Sequence, residues 1–153
     1  MKKKGLILLV FAFVLLFVTG CGKKTETLTC TTTQEVSGIK IDAEAKMTFV
    51  GDVINKLVLT MDINATSDLM KSNWNIIEQT YDKQYAPVEK DGLKVTTKKD
   101  ASNYKYTIVV DADPAKAQAT DLSPYGMSSL AGAKDSLDVT QSGLEAAGYT
   151  CKK

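Results

Sequence analysis

Residues 39–49 read Ile39-Lys40-Ile41-Asp42-Ala43-Glu44-Ala45-Lys46-Met47-Thr48-Phe49. Apolar side chains take every second position, and charged or hydroxyl side chains take the positions between. Successive side chains of a β-strand point to opposite faces, so this period of two predicts a strand with one buried face and one wet face. Gly51-Asp52 supply a turn. Val53 to Ile63 then alternate again, with Leu57, Leu59, Met61 and Ile63 on one side and Lys56, Thr60, Asp62 and Asn64 off it. Two alternating runs joined so tightly predict an antiparallel hairpin. A sheet of that kind with one solvated face suits the charge pattern.

Working outward, a strand is expected from about Leu28. It carries Cys30 and the threonines after it and ends at a turn in Val36-Ser37-Gly38. On the C-terminal side, Thr66 or Ser67 offers a helix N-cap with Asp68 in the first turn. Met70, Trp74, Ile77, Tyr81 and Tyr85 recur at steps of three and four, the stripe of an amphipathic helix over about 67–85. Ala86-Pro87 stops it. The stripe is expected to cover the apolar face of the sheet; an aromatic ligand platform of Trp74, Tyr81 and Tyr85 is the alternative. Asp91-Gly92 turns the chain into a second hairpin. Its strands are read from Leu93, Val95 and Thr97 and from Tyr104, Tyr106, Ile108, Val110 and Ala112. Lys98 and Lys99 are expected at its solvated tip. Asp113-Pro114 ends the second strand, with a short helical turn through Ala119.

Residues 121–134 read as a loop rich in small residues with no clear period. Unstructured loops of that length are uncommon in compact domains unless they are functional or mobile. A binding site is therefore sought first around Tyr125 and Met127, against the alternative of a plain connection. A last helix is expected over about 137–147, with Leu137, Leu144 and Ala147 inward and Gly148 at C′. The fold class is α+β: an antiparallel sheet of two hairpins, with helices at about 67–85 and 137–147 packed on one face.

The N-terminus has a different logic. Lys2, Lys3 and Lys4 precede an uncharged run from Leu6 to Val18. A spanning helix needs about 20 apolar residues, so the run suits the h-region of a secretory signal peptide better than a membrane span. It ends in Val18-Thr19-Gly20-Cys21. Small residues before a cleavage point, followed by a thiol, resemble the lipobox of bacterial lipoproteins. That resemblance implies removal of residues 1–20 and a diacylglyceryl group on the Cys21 sulfur. Two acyl chains give stable anchoring where one gives only marginal binding. Residues 21–27 are then a lipidated tether and 28–153 a single domain, within the usual size range for one core.

Composition narrows the chemistry. The chain has 153 residues, no His and, among 19 basic residues, no Arg. Ser-His-Asp and Cys-His machinery cannot be built without His, nor can the commonest catalytic zinc sites. The bidentate fork for carboxylate and phosphate is missing without Arg. Losing three signal-peptide lysines takes the net charge from +1 to −2, a balance that speaks against nucleic acid as a partner. No cofactor or metal is expected. With Cys21 assigned to lipid, Cys30 and Cys151 remain as an even pair in an exported chain. A Cys30–Cys151 disulfide is expected, with two free thiols as the alternative.

The order of elements resembles the YehR-like family of small bacterial lipoproteins. So do Asp111-Ala112-Asp113 at a strand end and the stretch from Leu122-Ser123-Pro124 through Leu144-Glu145 to Gly148-Tyr149. The resemblance implies a compact α+β domain outside a membrane and no known activity. The functional expectation is a non-catalytic envelope protein. Its partners are membrane lipid through acylated Cys21 and an envelope protein or cell-wall component. A small-ligand-binding lipoprotein is the second reading and a carboxylate-based enzyme the third. The expected location is lipid-anchored on the extracytoplasmic side of a cell membrane, the outer membrane if the host has one.

Overall fold

The structure, a computed structural model, describes residues 22–153. Three long strands form its centre: β1 (Thr25–Val36), β2 (Ile39–Val50) and β3 (Val53–Ala65). They make an antiparallel meander in which β1 pairs with β2 along its whole length, from Thr25 opposite Val50 to Val36 opposite Ile39. Ser37 and Gly38 both have positive φ, 53° and 82°, the backbone of the turn whose twist matches a two-residue hairpin. Gly38 is required for a second reason: a Cβ there would lie 2.2 Å from Ser67 Oγ.

β4 (Val88–Lys90), β5 (Leu93–Asp100) and β6 (Lys105–Ala112) form a second meander, and β7 (Thr150–Lys152) closes the chain. The order across the sheet is β4-β5-β6-β3-β2-β1-β7, with every neighbouring pair antiparallel. The α+β expectation therefore stands, but two hairpins become two three-stranded meanders joined through β3 and β6. The short β4, before Asp91-Gly92, has too few residues to show a period.

One face of the sheet is buried. Leu28 and Cys30 on β1, Ala45, Met47 and Phe49 on β2, Leu57 and Leu59 on β3, and Tyr106, Ile108 and Val110 on β6 form one core. Val58, Thr60 and Asp62 face the other way. The alternation of residues 53–63 is broken once. Asn55 and Lys56 are both exposed between buried Ile54 and Leu57. The register jumps there: Thr48 opposes Lys56, and Phe49 opposes Ile54. Asn55 is the extra residue of a β-bulge, which keeps Ile54 in the core where strict alternation would turn it outward.

Four helices roof the buried face: α1 (Asp68–Ser72), α2 (Trp74–Gln84), α3 (Ala119–Leu122) and α4 (Leu137–Ala146). The single helix expected over 67–85 is thus two. Ser67 caps α1, its Oγ accepting from the Met70 N–H at 3.3 Å. Asn73 then breaks the run. Its Nδ2 donates to the Leu69 carbonyl at 2.8 Å, and its own carbonyl accepts from Ile76 and Ile77. Asn competes with the backbone for such bonds, so it ends one helix and starts the next. α2 returns along β5 and β6: Trp74 lies edge-on to Tyr104 at 6.5 Å, and Tyr81 lies over Tyr106 at 5.6 Å. α4 covers the β1 and β7 side. Its Leu137 is buried and Leu144 half-buried, but Ala147 is exposed past the helix end, contrary to expectation.

Lys98 and Lys99 are exposed as expected, but their place at the hairpin tip is corrected. β5 runs on to Asp100, and Lys99 reaches back to Asp82 and Glu78 on α2. The turn is Ala101–Asn103, capped by Asp100, which accepts from Ser102 Oγ, the Asn103 N–H and Asn103 Nδ2.

The bulge makes a sharp prediction. Deleting Asn55 completes the ladder without moving any core residue, so stability should change by about 1 kcal/mol or less. Deleting Thr60 from the regular part of β3 turns a run of core residues outward, at about 1.5–3 kcal/mol for each large side chain exposed, and should prevent folding. Urea melts of the two deletions check this; equal stabilities would refute the register.

Candidate functional site

The expected lipidation residue, Cys21, lies outside the described residues. The chain that follows it is already part of the domain. The Lys24 carbonyl accepts from the Gly51 N–H at 3.0 Å, and Thr25 pairs with Val50. The tether expected over 21–27 is therefore corrected: its last three residues are strand, because Thr25, Glu26 and Thr27 complete the ladder along β2.

Cys30 and Cys151 are bonded to each other. They stand directly opposite in the β1–β7 register, with Cα atoms 4.0 Å apart. Cys30 is buried on the core face. β7 has only three residues and pairs with β1 at just three positions. The bond ties it. With a sequence separation of 121 between the cysteines, the chain-entropy model puts the stabilisation at about 5 kcal/mol.

The segment 121–134 is not a featureless loop. It comprises the end of α3, two turns of 3-10 helix at Ser123–Tyr125 and Ser128–Leu130, and short links. Leu122, Met127 and Leu130 are buried in the core. Met127, one of the two residues singled out for binding, is thus a packing residue. Tyr125 stays half-exposed and meets Tyr85 at 6.0 Å; Tyr85 in turn lies 6.1 Å from Tyr81. α2 and the 121–134 segment therefore share a row of tyrosines, Tyr125-Tyr85-Tyr81, with buried Tyr106 beneath Tyr81. Trp74, expected in the same platform, packs on Tyr104 and is 4 % exposed. Burial pushes the phenols of Tyr81, Tyr85 and Tyr125 above their ordinary range, and the neighbouring Tyr85 adds to this at Tyr81 and Tyr125. They stay protonated at neutral pH and offer hydroxyls, not phenolates. Tyr106 donates to Asp82 Oδ1 at 3.0 Å, and Lys99 pairs with the other oxygen of that carboxylate.

The open face of the sheet holds a shallow depression of about 420 Å³ lined by threonines of β1 and by Asp42, Glu44, Thr60 and Asp62. Asp42 and Asp62 are directly opposed, a like-charge pair that costs stability unless compensated. Compensation comes from each side. Asp42 accepts from Thr33 Oγ1 at 2.7 Å and pairs with Lys40 at 3.0 Å. Asp62 accepts from Thr107 Oγ1 at 2.6 Å and from Lys105 Nζ at 2.8 Å. The Thr33 hydroxyl, then Lys40, holds Asp42 below the usual carboxylate range. Both groups are engaged as acceptors, an arrangement suited to hydrogen bonding with a polar surface. Among the described residues, no group of three His, Cys, Asp or Glu side chains is placed to hold a metal ion.

Sequence reading missed the Tyr85–Tyr125 contact and the Lys99–Asp82–Tyr106 chain. Both join segments far apart in sequence, which no local period reports. The facing of Asp42 and Asp62 depends on the Asn55 bulge, since the register at the Gly51-Asp52 turn carried on unbroken would set Asp42 opposite Met61.

No family model matches the chain, and no curated protein matches it. A protein from Streptococcus pneumoniae TIGR4, solved by NMR, has a similar structure. Its TM-score is 0.55 at 15 % identity, over 99 % of this chain and 97 % of that one. At that identity the likeness concerns the fold alone.

Two predictions follow from these contacts. Replacing Cys30 and Cys151 together by Ser should lower the thermal midpoint by about 10–15 °C, the equivalent of most of the 5 kcal/mol above. Calorimetry against the parent with and without reductant measures it, and an unchanged midpoint would exclude a stabilising bond. Asp42, Asp82, Asp100 and Asp121 all have lowered folded-state values, caused first by hydrogen bonds from Thr33, Lys99, Asn103 and Lys90 respectively. A depressed carboxylate stabilises the fold above its unfolded value, near 4, and loses that contribution as pH falls through the folded value. The midpoint should be flat from about pH 5 to 7 and drop below about pH 4, with a shallower drop in Asp42→Asn.

Proposed function

We propose that this chain is a lipoprotein, anchored through acylated Cys21 to the extracytoplasmic side of a cell membrane, which binds an envelope protein or a cell-wall component without catalysis. One observation carries the reading: with Cys30 and Cys151 joined in the domain, the third cysteine is the one at the end of Val18-Thr19-Gly20-Cys21, directly behind an uncharged run and directly before the fold. A single disulfide across the domain suits an exported, oxidising location. The resemblance to YehR-like lipoproteins belongs to the same reading. The residue types speak for binding over catalysis: the chain has neither His nor Arg, and Asp42 and Asp62 on the open face are engaged by Thr33, Lys40, Lys105 and Thr107.

A second reading has its own support. The contact of Tyr85 with Tyr125 gathers half-exposed aromatic rings from two elements, as a small-ligand site would require.

Intact-mass measurement on protein extracted from membranes tests the anchor. The expected species begins at Cys21, carries a diacylglyceryl group and gains two hydrogens on reduction. Cys21→Ala should yield a chain that lacks the diacylglyceryl mass. An unmodified Cys21 thiol on a membrane-extracted chain would sink the reading.

A further inference from the structure

The strand register fixes where an anchor at Cys21 would lie relative to the domain. β1 starts at Thr25 opposite Val50 and runs away from the Gly51-Asp52 turn. The Lys24 carbonyl is bonded to Gly51, and a Cβ at Gly51 would lie 3.4 Å from Lys23 Cδ. The chain is thus held against this turn from Lys23 onward. Gly22 alone separates Lys23 from Cys21. Two residues span at most about 7 Å even when fully extended, so no slack remains for the domain to roam.

We propose that the end of the sheet around Gly51 and Asp52 rests on the lipid headgroups, so that the membrane surface is a fixed contact of this domain and not merely its address. The proposal rests on the lipid-anchor reading above. The occupant of this end is a lipid bilayer because the anchored chain ends there. Its chemistry suits headgroup contact. Around the turn Lys23, Asp52 and Asn55 are exposed and polar, and Val53 is 37 % exposed. At this end Lys24 pairs with Glu26, Lys56 with Asp111 and Lys116 with Asp91, and Lys23 and Asp52 bring one charge of each sign. The contact therefore comes from the short anchor, needs no anionic lipid and should be insensitive to salt.

The opposite end follows by the same geometry. Twelve residues of β1 extend about 40 Å, which carries the Ser37-Gly38 turn away from the anchored end. Val36 beside that turn and Leu69 on the adjoining α1 are 68 % and 66 % exposed. These apolar side chains are held away from the lipid and towards whatever lies beyond it.

The test uses lipidated protein in phosphatidylcholine nanodiscs that contain a headgroup nitroxide lipid, read by amide line broadening. Gly51, Asp52 and Val53 should broaden several-fold more than Val36, Ser37 and Gly38, at low and high salt alike. Inserting about ten Gly/Ser residues between Gly22 and Lys23 gives the domain some 15–20 Å of reach and should make the broadening uniform while the protein stays on the disc. Uniform broadening in the parent, or stronger broadening at Val36, Ser37 and Gly38, overturns the orientation and leaves the anchor standing. A parent that does not remain with the discs overturns both.

Discussion

The pairing of β1 with β2 and of β2 with β3 sets the terms for the rest of the domain. Each ladder runs twelve or so residues with one side of every strand buried. A one-residue slip in either would carry every core side chain to the wet face. The roof must therefore match a fixed apolar surface, and the sequence tolerates a single irregularity, at Asn55, where the bulge restores the pattern within one residue. The like-charged Asp42 and Asp62 on the open face show how strictly the register holds. They are opposed because Ala43, Ala45 and Met61 beside them fix the pairing, and Thr33, Lys40, Lys105 and Thr107 adapt to them.

The roof is less regular because it answers to the sheet and not to its own period. The stripe from Met70 to Tyr85 is interrupted at Asn73, so α1 sits at the Gly38 turn while α2 turns back over β5 and β6. The 121–134 segment has no period, yet it places Leu122, Met127 and Leu130 in the core between α2 and α4. It does so with short helical turns, whose local bonds satisfy the backbone without a long repeat. The half-buried tyrosines mark where these roof pieces meet.

Covalent closure acts at the weakest edge. β7 is three residues long and shields only Thr29 to Thr31 of a twelve-residue strand. Its few hydrogen bonds are a poor hold, and the Cys30–Cys151 bond supplies one that does not depend on them. β1, which β7 covers, begins four residues after Cys21, so in the proposed arrangement the first strand of the core is also the one that meets the membrane. Stability and placement thus share one element.

Local sequence settles what repeats or counts: the alternation that makes β2 and β3 strands with one wet face, the turns at Gly38, Gly51 and Gly92, the cap at Thr66 or Ser67, and the parity that pairs Cys30 with Cys151 once Cys21 is set apart. These are local, because each is written within a few residues or in a total. Only the tertiary structure decided the joining of the meanders through β3 and β6, the break at Asn73, the burial of Met127, the meeting of Tyr85 with Tyr125 and the docking of the chain from Lys23. Each depends on segments distant in sequence competing for one apolar face, and the outcome is set by which side chains fill it, information that no single stretch of the chain contains.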